Sequence, residues 1–230
     1  MAREALIEEI ESLEALAERH ERSKVFGYYP DSGPLRRELY AKHMEFFRAG
    51  TEHRERCMMA GNRVGKTEGA GGYEATLHLT GLYPDWWEGK RFDRPINALV
   101  AGDTGTTTRD VIQRKLCGAE GRLGTGLIPH SHLGDTTAKS GIPGAYDIVR
   151  VKHEISGEWS TLQFRSYDQK RDAFQGTERE LIWLDEEPPK DIYDECLLRT
   201  MTTGGIVICT FTPLKGLSDV ALSYLPNLAP

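Results

Sequence analysis

The chain has 230 residues, of which 39% are hydrophobic and 28% charged, and its net charge is -6. This composition is ordinary for a soluble domain that can bury a full core, and it excludes a uniformly basic nucleic-acid binder while leaving room for a local basic groove. No apolar run approaches the roughly 20 residues of a membrane span. The four cysteines lack zinc-binding or disulfide-framework spacing, so we expect reduced, mostly buried thiols.

The first segment is strongly acidic. Residues 1–22 contain seven glutamates and three arginines, a charge of -4. Apolar side chains recur there at helical spacing, which predicts an acidic amphipathic helix over 1–25. Such a helix either packs on the edge of the domain or docks on a neighbouring subunit. The rest of the chain, 26–230, is predicted to form one domain.

Helices and strands are then predicted in alternation. A helix over about 35–47 precedes a short buried strand at 56–60. The next helix is expected at 66 to about 80, followed by a strand at 96–102 and a helix at 108 to about 117. Three glycines in the helix after the first strand predict close packing against a sheet: Gly69, Gly71 and Gly72.

The second half of the chain begins with a glycine-rich stretch. Residues 118–145 hold seven glycines and little periodicity, which predicts a long loop. Residues 146–153 and 159–167 alternate around a Ser-Gly-Glu turn, as expected for a hairpin. Apolar strands at 181–184 and 206–209 complete the pattern. Strands that alternate with helices predict an α/β fold with a central, mostly parallel sheet flanked by helices.

Residues 60 to 67 read Ala-Gly-Asn-Arg-Val-Gly-Lys-Thr, which has the form of a Walker A phosphate loop except that Ala60 stands at the first glycine position. We expect its N–H groups to face nucleotide phosphates, Lys66 to pair with the β and γ phosphates, and Thr67 to bind Mg²⁺. Arg63 has a planar fork suited to a γ-phosphate, unless it is simply an exposed loop arginine. The alternative for the whole motif is a chance Gly-Lys-Thr at a helix start. The predicted nucleotide-binding residues of the loop are Ala60, Gly61, Asn62, Arg63, Val64, Gly65, Lys66 and Thr67.

A second motif, Leu-Ile-Trp-Leu-Asp-Glu at 181 to 186, has the form of a Walker B strand. A wholly apolar strand is expected to be buried on both faces of a parallel sheet, with its carboxyl end at the edge where ligands bind. We assign Asp185 to Mg²⁺ and Glu186 to orienting or deprotonating the attacking water. The alternative is an acidic turn after a core strand.

A third motif, Thr-Phe-Thr-Pro at 210 to 213, also follows an apolar strand. If that strand lies between the other two, the hydroxyls of Thr210 and Thr212 face the γ-phosphate and can sense whether it is present. The alternative is ordinary hydroxyl capping of a strand-ending turn.

Together these motifs resemble the ATPase domain of the large terminase subunit, the DNA-packaging motor of tailed bacteriophages. The matching stretches are Met-Ala-Gly-Asn-Arg-Val-Gly-Lys-Thr-Glu (59–68), Phe-Gln-Gly-Thr-Glu-Arg-Glu-Leu-Ile-Trp-Leu-Asp-Glu-Glu-Pro (174–188) and Cys-Thr-Phe-Thr-Pro (209–213). The resemblance implies a RecA-like P-loop NTPase fold of the ASCE type, with an extra strand between the loop strand and the acidic strand. It also implies ATP hydrolysis with Mg²⁺ that powers translocation of double-stranded viral DNA into a procapsid.

The resemblance also implies roles for individual residues. Arg63 would contact phosphate and act in coupling, Thr210 to Pro213 would be the coupling motif, and Tyr40 or His43 would frame adenine. In an assembled ring, each site would be completed by an arginine of the neighbouring subunit. The candidates in this chain are Arg165, Arg171 and Arg179.

The implied partners are double-stranded DNA, the portal protein, the small terminase subunit and further copies of the chain in a ring, expected to be a pentamer. We expect a monomer in isolation, located in the host cytoplasm and docked transiently on the procapsid, with no membrane partner. The clustered aspartates of the family's nuclease domain are missing from this sequence, so we expect the motor part without DNA cleavage. The alternatives are a helicase-like or remodelling ATPase half, which needs a second RecA-like lobe, and a nucleotide-gated assembly module without useful turnover.

Overall fold

The computed structural model describes residues 24–214, 216 and 218–225. The acidic helix predicted for 1–25 lies outside them, apart from its last two residues, which belong to a short 3-10 helix, Lys24–Gly27. Among the described residues, no helix combines the length and the apolar character that crossing a bilayer requires.

The described residues form a seven-stranded sheet with the strand order β1-β7-β6-β2-β5-β4-β3. The first five of these strands run parallel to one another, while β4 and β3 are antiparallel additions at one edge. The predicted, mostly parallel sheet is therefore confirmed, and β7 lies between β1 and β6 as the resemblance implied. The strands are β1 (Glu55–Met59), β2 (Asn97–Gly102), β3 (Leu133–Ala138), β4 (Tyr146–Lys152), β5 (Trp159–Ser166), β6 (Leu181–Asp185) and β7 (Ile206–Phe211).

The prediction of one long loop over 118–145 is wrong at β3. This strand pairs with β4 at the edge of the sheet, and four of its six residues are exposed. An exposed edge strand needs no apolar alternation, so its sequence, Leu-Gly-Asp-Thr-Thr-Ala, gives no period-two signal. The hairpin predicted for the next two strands is present as β4 and β5.

Helical segments connect the strands. The segment after β1 starts as a π-helix, Lys66–Gly72, and the segment after β2 contains a π-helix, Thr108–Gln113. A 3-10 turn, Arg37–Tyr40, precedes the first α-helix. The helix between β6 and β7 was not among the elements predicted from the sequence. The α-helices are α1 (Ala41–Arg48), α2 (Tyr73–Thr80), α3 (Gly105–Thr107), α4 (Arg114–Cys117), α5 (Lys190–Met201) and α6 (Asp219–Ser223).

Both faces of the sheet are covered. Alternate residues of β6 belong to two separate apolar clusters, since Leu181 and Trp183 pack with α1 and α2, whereas Ile182 and Leu184 pack with α5 and α6. A strand buried on both faces has no polar positions to alternate, which is why β6 is apolar throughout. The sheet is the middle of three layers, and it brings the carboxyl ends of β1, β7 and β6 to one edge.

The segment after the phosphate loop lies directly on the central strand. A Cβ atom at Gly71 would overlap the indole of Trp183, so only glycine permits this approach. The indole itself is held, because Trp183 Nε1 donates to Thr210 Oγ1 at 2.7 Å. The close packing predicted from the glycines of this segment is therefore confirmed at Gly71, and it sets the distance between the phosphate loop and the end of β6.

A buried ion pair joins the two elements that flank the phosphate loop. Arg56 of β1 donates to Glu74 of α2 at 2.6 and 3.1 Å, and the two side chains are 4% and 0% exposed. The carboxylate also lies 3.1 Å from His78 Nε2, whose Nδ1 is 2.8 Å from the Tyr83 hydroxyl. Buried charges are stable only when they are paired in this way, so the network fixes α2 against β1.

Candidate functional site

The predicted phosphate loop connects β1 to the π-helical segment. Gly65 has a φ of 85°, a left-handed conformation that glycine adopts without steric cost, and Arg63 has a φ of 64°. The Lys66 Nζ donates to Gly61 O at 2.6 Å, so the lysine folds back across the loop. Among the residues that the structure describes, none accepts a hydrogen bond from the N–H of Arg63, Val64 or Gly65. The loop therefore offers backbone donors of the kind that bind phosphate.

Helix α1 holds this loop from outside. His43 Nε2 lies 3.1 Å from Val64 O, and because the carbonyl can only accept, Nε2 carries the proton. A trans peptide is planar, so fixing Val64 O on His43 turns the Gly65 N–H in the opposite direction. The Tyr29 hydroxyl lies 2.6 Å from both His43 Nδ1 and Gly69 O, and its single proton is donated to one of these two acceptors at a time. Burial lowers the pKa of His43, and the bond to Val64 partly offsets this.

The carboxylate at the end of β6 lies beneath the loop. Asp185 is 3% exposed, and its Oδ1 accepts hydrogen bonds from Thr67 Oγ1 at 3.0 Å and from Thr210 Oγ1 at 2.7 Å. Burial raises the pKa of Asp185 to about 6, although the two hydroxyls lower it. A buried carboxylate next to a threonine hydroxyl is a pair of hard oxygen ligands, which suits Mg²⁺. The residues present thus fit the metal predicted for Thr67 and Asp185.

Glu186 leaves the sheet in an uncommon conformation. Its φ is 69°, and its side chain is exposed to the cavity that the phosphate loop also lines. The backbone is fixed on both sides, because the Glu186 N–H donates to Thr210 O at 3.0 Å and the Tyr167 hydroxyl donates to Glu186 O at 2.9 Å. These bonds fix the backbone that places Glu186 in the lining of the cavity.

The hydroxyls at the end of β7 contact both other motifs. Lys66 Nζ donates to Thr212 Oγ1 at 2.9 Å, and Thr210 bonds Asp185 as described above. Thr212 Oγ1 also lies 3.0 Å from Ala60 O and from Asn62 Oδ1. The strand that carries these hydroxyls therefore lies between the lysine and the carboxylate, where it can respond to a change at either one.

One cavity of about 500 Å³ collects most of the predicted nucleotide-binding side chains. Five of the predicted residues lie outside its lining: Ala60, Gly61, Asp185, Thr210 and Thr212. Six residues of the lining were not predicted from the sequence: Tyr28, Tyr29, Leu35, Glu68, Gly69 and Lys115. Lys115 belongs to none of the three motifs and had no signal in the sequence. The lining consists of Tyr28, Tyr29, Leu35, Tyr40, His43, Asn62, Arg63, Val64, Gly65, Lys66, Thr67, Glu68, Gly69, Lys115 and Glu186.

The three arginines considered for the neighbouring site differ in their surroundings. Arg165 is bound to Asp147 and donates to Ala173 O at 3.1 Å. Arg179 is 7% exposed and bound to Gln163. Arg171 lies 2.8 Å from Glu195, with 48% of its side chain exposed, and is the most exposed of the three.

The sheet order, with β7 between β1 and β6 and helices on both faces, is that of a RecA-like α/β fold. Large terminase from a thermophilic bacteriophage has the same fold in two crystal forms, one of them in complex with ADP. The TM-scores are 0.59 and 0.57 at 13% identity, over 82% of this chain and 42% of those chains.

A family model described as the N-terminal part of the T4likevirus-type terminase large subunit matches residues 57–228. The terminase large subunit of Salmonella phage P22 is 38% identical over 207 residues, which cover 82% of this chain and 41% of that protein. The chain therefore belongs to the terminase large subunit family. It spans about two fifths of the length of the relatives that it matches.

Proposed function

We propose that this chain hydrolyses ATP and that hydrolysis powers the translocation of double-stranded viral DNA into a procapsid. The observation that carries the proposal is the convergence of three distant motifs on one cavity edge, through the Lys66–Thr212 and Thr67–Asp185 bonds. The family supports the packaging role, and the thermophilic phage terminase in complex with ADP supports a nucleotide as the ligand.

In the proposed reaction, Lys66 and the loop N–H groups bind the β and γ phosphates, and Arg63 approaches the γ-phosphate. Thr67 and Asp185 hold Mg²⁺, which when bound neutralises charge on the phosphates. Glu186 orients the attacking water and accepts its proton. Thr212 loses or keeps its bond to Lys66 according to whether the γ-phosphate competes for that lysine, which makes β7 the element that reports hydrolysis.

The proposed partners are DNA, the portal protein, the small terminase subunit and further copies of the chain in a ring. An arginine of the neighbouring subunit completes each site, and Arg171 is the best placed by exposure. The isolated chain then hydrolyses ATP slowly, because that arginine arrives only on assembly.

The decisive test replaces Glu186 by Gln and measures both ATP turnover and the affinity for ATP. Turnover falls by about 100-fold or more, the usual effect of losing an acid–base group, while affinity is retained because the amide leaves the phosphate contacts intact. The matched control is Glu187→Gln, which removes the adjacent carboxylate outside the cavity lining. Unchanged turnover in Glu186→Gln would remove Glu186 from the mechanism, and a wild-type chain that binds ATP without turnover would favour the assembly module instead.

A further inference from the structure

Lys115 is a cation of the cavity that none of the sequence motifs contains. It lies on α4, in the helical segment after β2, and its side chain lines the cavity together with Lys66 and Glu186. Its Nζ donates to Glu68 Oε2 at 2.7 Å, and 32% of the side chain is exposed. Thr67, one of the two residues proposed to bind the metal, lines the same cavity.

Glu68, the residue after Thr67, is bound by two lysines. Lys115 binds one oxygen and Lys24 the other. The carboxylate therefore keeps one cation, Lys24, even when Lys115 leaves. An exchange of Lys115 from carboxylate to phosphate would leave no buried charge without a partner.

The donors of Lys66 are already shared. Its Nζ donates to Gly61 O and Thr212 Oγ1. Two of its three N–H donors are therefore in use before a phosphate binds. A triphosphate with Mg²⁺ keeps a negative charge, and it would share the cavity with the carboxylate of Glu186. A second lysine with a flexible stem and three donors is the kind of side chain that can supply the missing contact.

Resting on the nucleotide binding proposed above, we propose that Lys115 is a second phosphate-binding lysine. When a nucleoside triphosphate binds, the Lys115 Nζ exchanges Glu68 for an oxygen of the terminal phosphate, while Glu68 stays bound to Lys24. Lys115 thereby favours the triphosphate over the diphosphate and links the helical segment after β2 to the nucleotide state.

The test is calorimetric titration of the full chain with Mg²⁺ and either ADP or the non-hydrolysable analogue AMP-PNP. Lys115→Met weakens AMP-PNP binding by about ten- to hundredfold, the range for a lost hydrogen bond to a charged group, and changes ADP binding by less than about threefold. Lys115→Arg restores most of the preference for AMP-PNP. The matched control is Arg114→Met, which removes an exposed cation from the neighbouring position of α4 and leaves both affinities unchanged.

A second variant keeps the proposal testable if Lys115→Met does not fold. Glu68→Gln removes the carboxylate that competes for Lys115, so it increases the preference for AMP-PNP over ADP. The inference fails if Lys115→Met or Glu68→Gln leaves the ratio of the two affinities unchanged, or if Arg114→Met lowers it equally. A wild-type chain that binds neither nucleotide would overturn the proposed function itself.

Discussion

Tyr29, Arg63 and Glu186 all adopt a left-handed backbone conformation, with φ values of 56°, 64° and 69°. Such conformations cost side chains other than glycine about 1–3 kcal/mol each and persist only where the surroundings impose them. Among the described residues, four that are not glycine have this conformation. Tyr29, Arg63 and Glu186 line the cavity, and the fourth, Lys170, does not. Strain in the chain is therefore concentrated where the ligand is proposed to bind.

His43 offers a residue-scale test of how the phosphate loop is held. His43→Phe keeps an aromatic ring among its neighbours but removes the bond to Val64 O. We expect nucleotide affinity to fall about fivefold, the effect of one lost buried hydrogen bond, because the Gly65 N–H is no longer oriented. Titration calorimetry with ADP measures it, and His53→Phe, at an exposed histidine, is the control. Equal affinities in the two variants would mean that the loop does not need His43.

The individual residues of the Walker-type motifs could be named from the sequence because local patterns carry them. The structure brings Lys66, Thr67, Asp185 and Glu186 to one place, as the motifs required. The pairing of Lys115 with Glu68 could not be found in this way. The two residues are 47 positions apart, and only the packing of α4 beside the phosphate loop makes them neighbours.

At the scale of elements, the contact between the π-helical segment and β6 positions the loop. Trp183 donates to Thr210, and Gly71 lies against the indole. Apolar periodicity predicted both elements, but the π-helical form of Lys66–Gly72 has no sequence signal that we can identify. The edge strand β3 was missed for a related reason, since an exposed strand carries no pattern that burial would impose.

Gly71→Ala tests this contact. Alanine favours a helix over glycine by about 1 kcal/mol, but the added methyl overlaps an indole that cannot move without breaking its bond to Thr210. Overpacking of this kind costs about 1–3 kcal/mol, so we expect a net loss of stability. Urea unfolding measures the change, with Gly27→Ala as control because a methyl there meets open space. A more stable Gly71→Ala chain would contradict the close packing.

At the scale of the whole molecule, three buried histidines make stability depend on pH. Burial lowers the pKa of His43, His78 and His153 below the ordinary 6.5. As the pH falls below about 6.5, the unfolded chain therefore binds protons that the folded chain does not. The free energy of unfolding decreases as the pH is lowered. Asp185 acts in the opposite sense because its pKa is raised to about 6, but it is a single group.

We therefore expect the free energy of unfolding to be about 1–2 kcal/mol lower at pH 6.0 than at pH 7.5. Urea titrations at the two pH values measure this directly. The control is His53→Gln, at an exposed histidine. If the buried histidines cause the pH dependence, this variant loses as much stability between pH 7.5 and pH 6.0 as the original chain. A chain that is equally stable, or more stable, at pH 6.0 would contradict the origin assigned to the effect.

The sequence by itself determined the α/β class, the three motifs and the terminase family, because phosphate loops and buried parallel strands need particular residues at short spacings. Only the tertiary structure decided which residues meet outside these motifs: His43 with Val64 of the loop, and Lys115 with Glu68. Short-range patterns record the backbone chemistry of one element, whereas contacts between elements depend on how the whole core packs, and no local spacing encodes that.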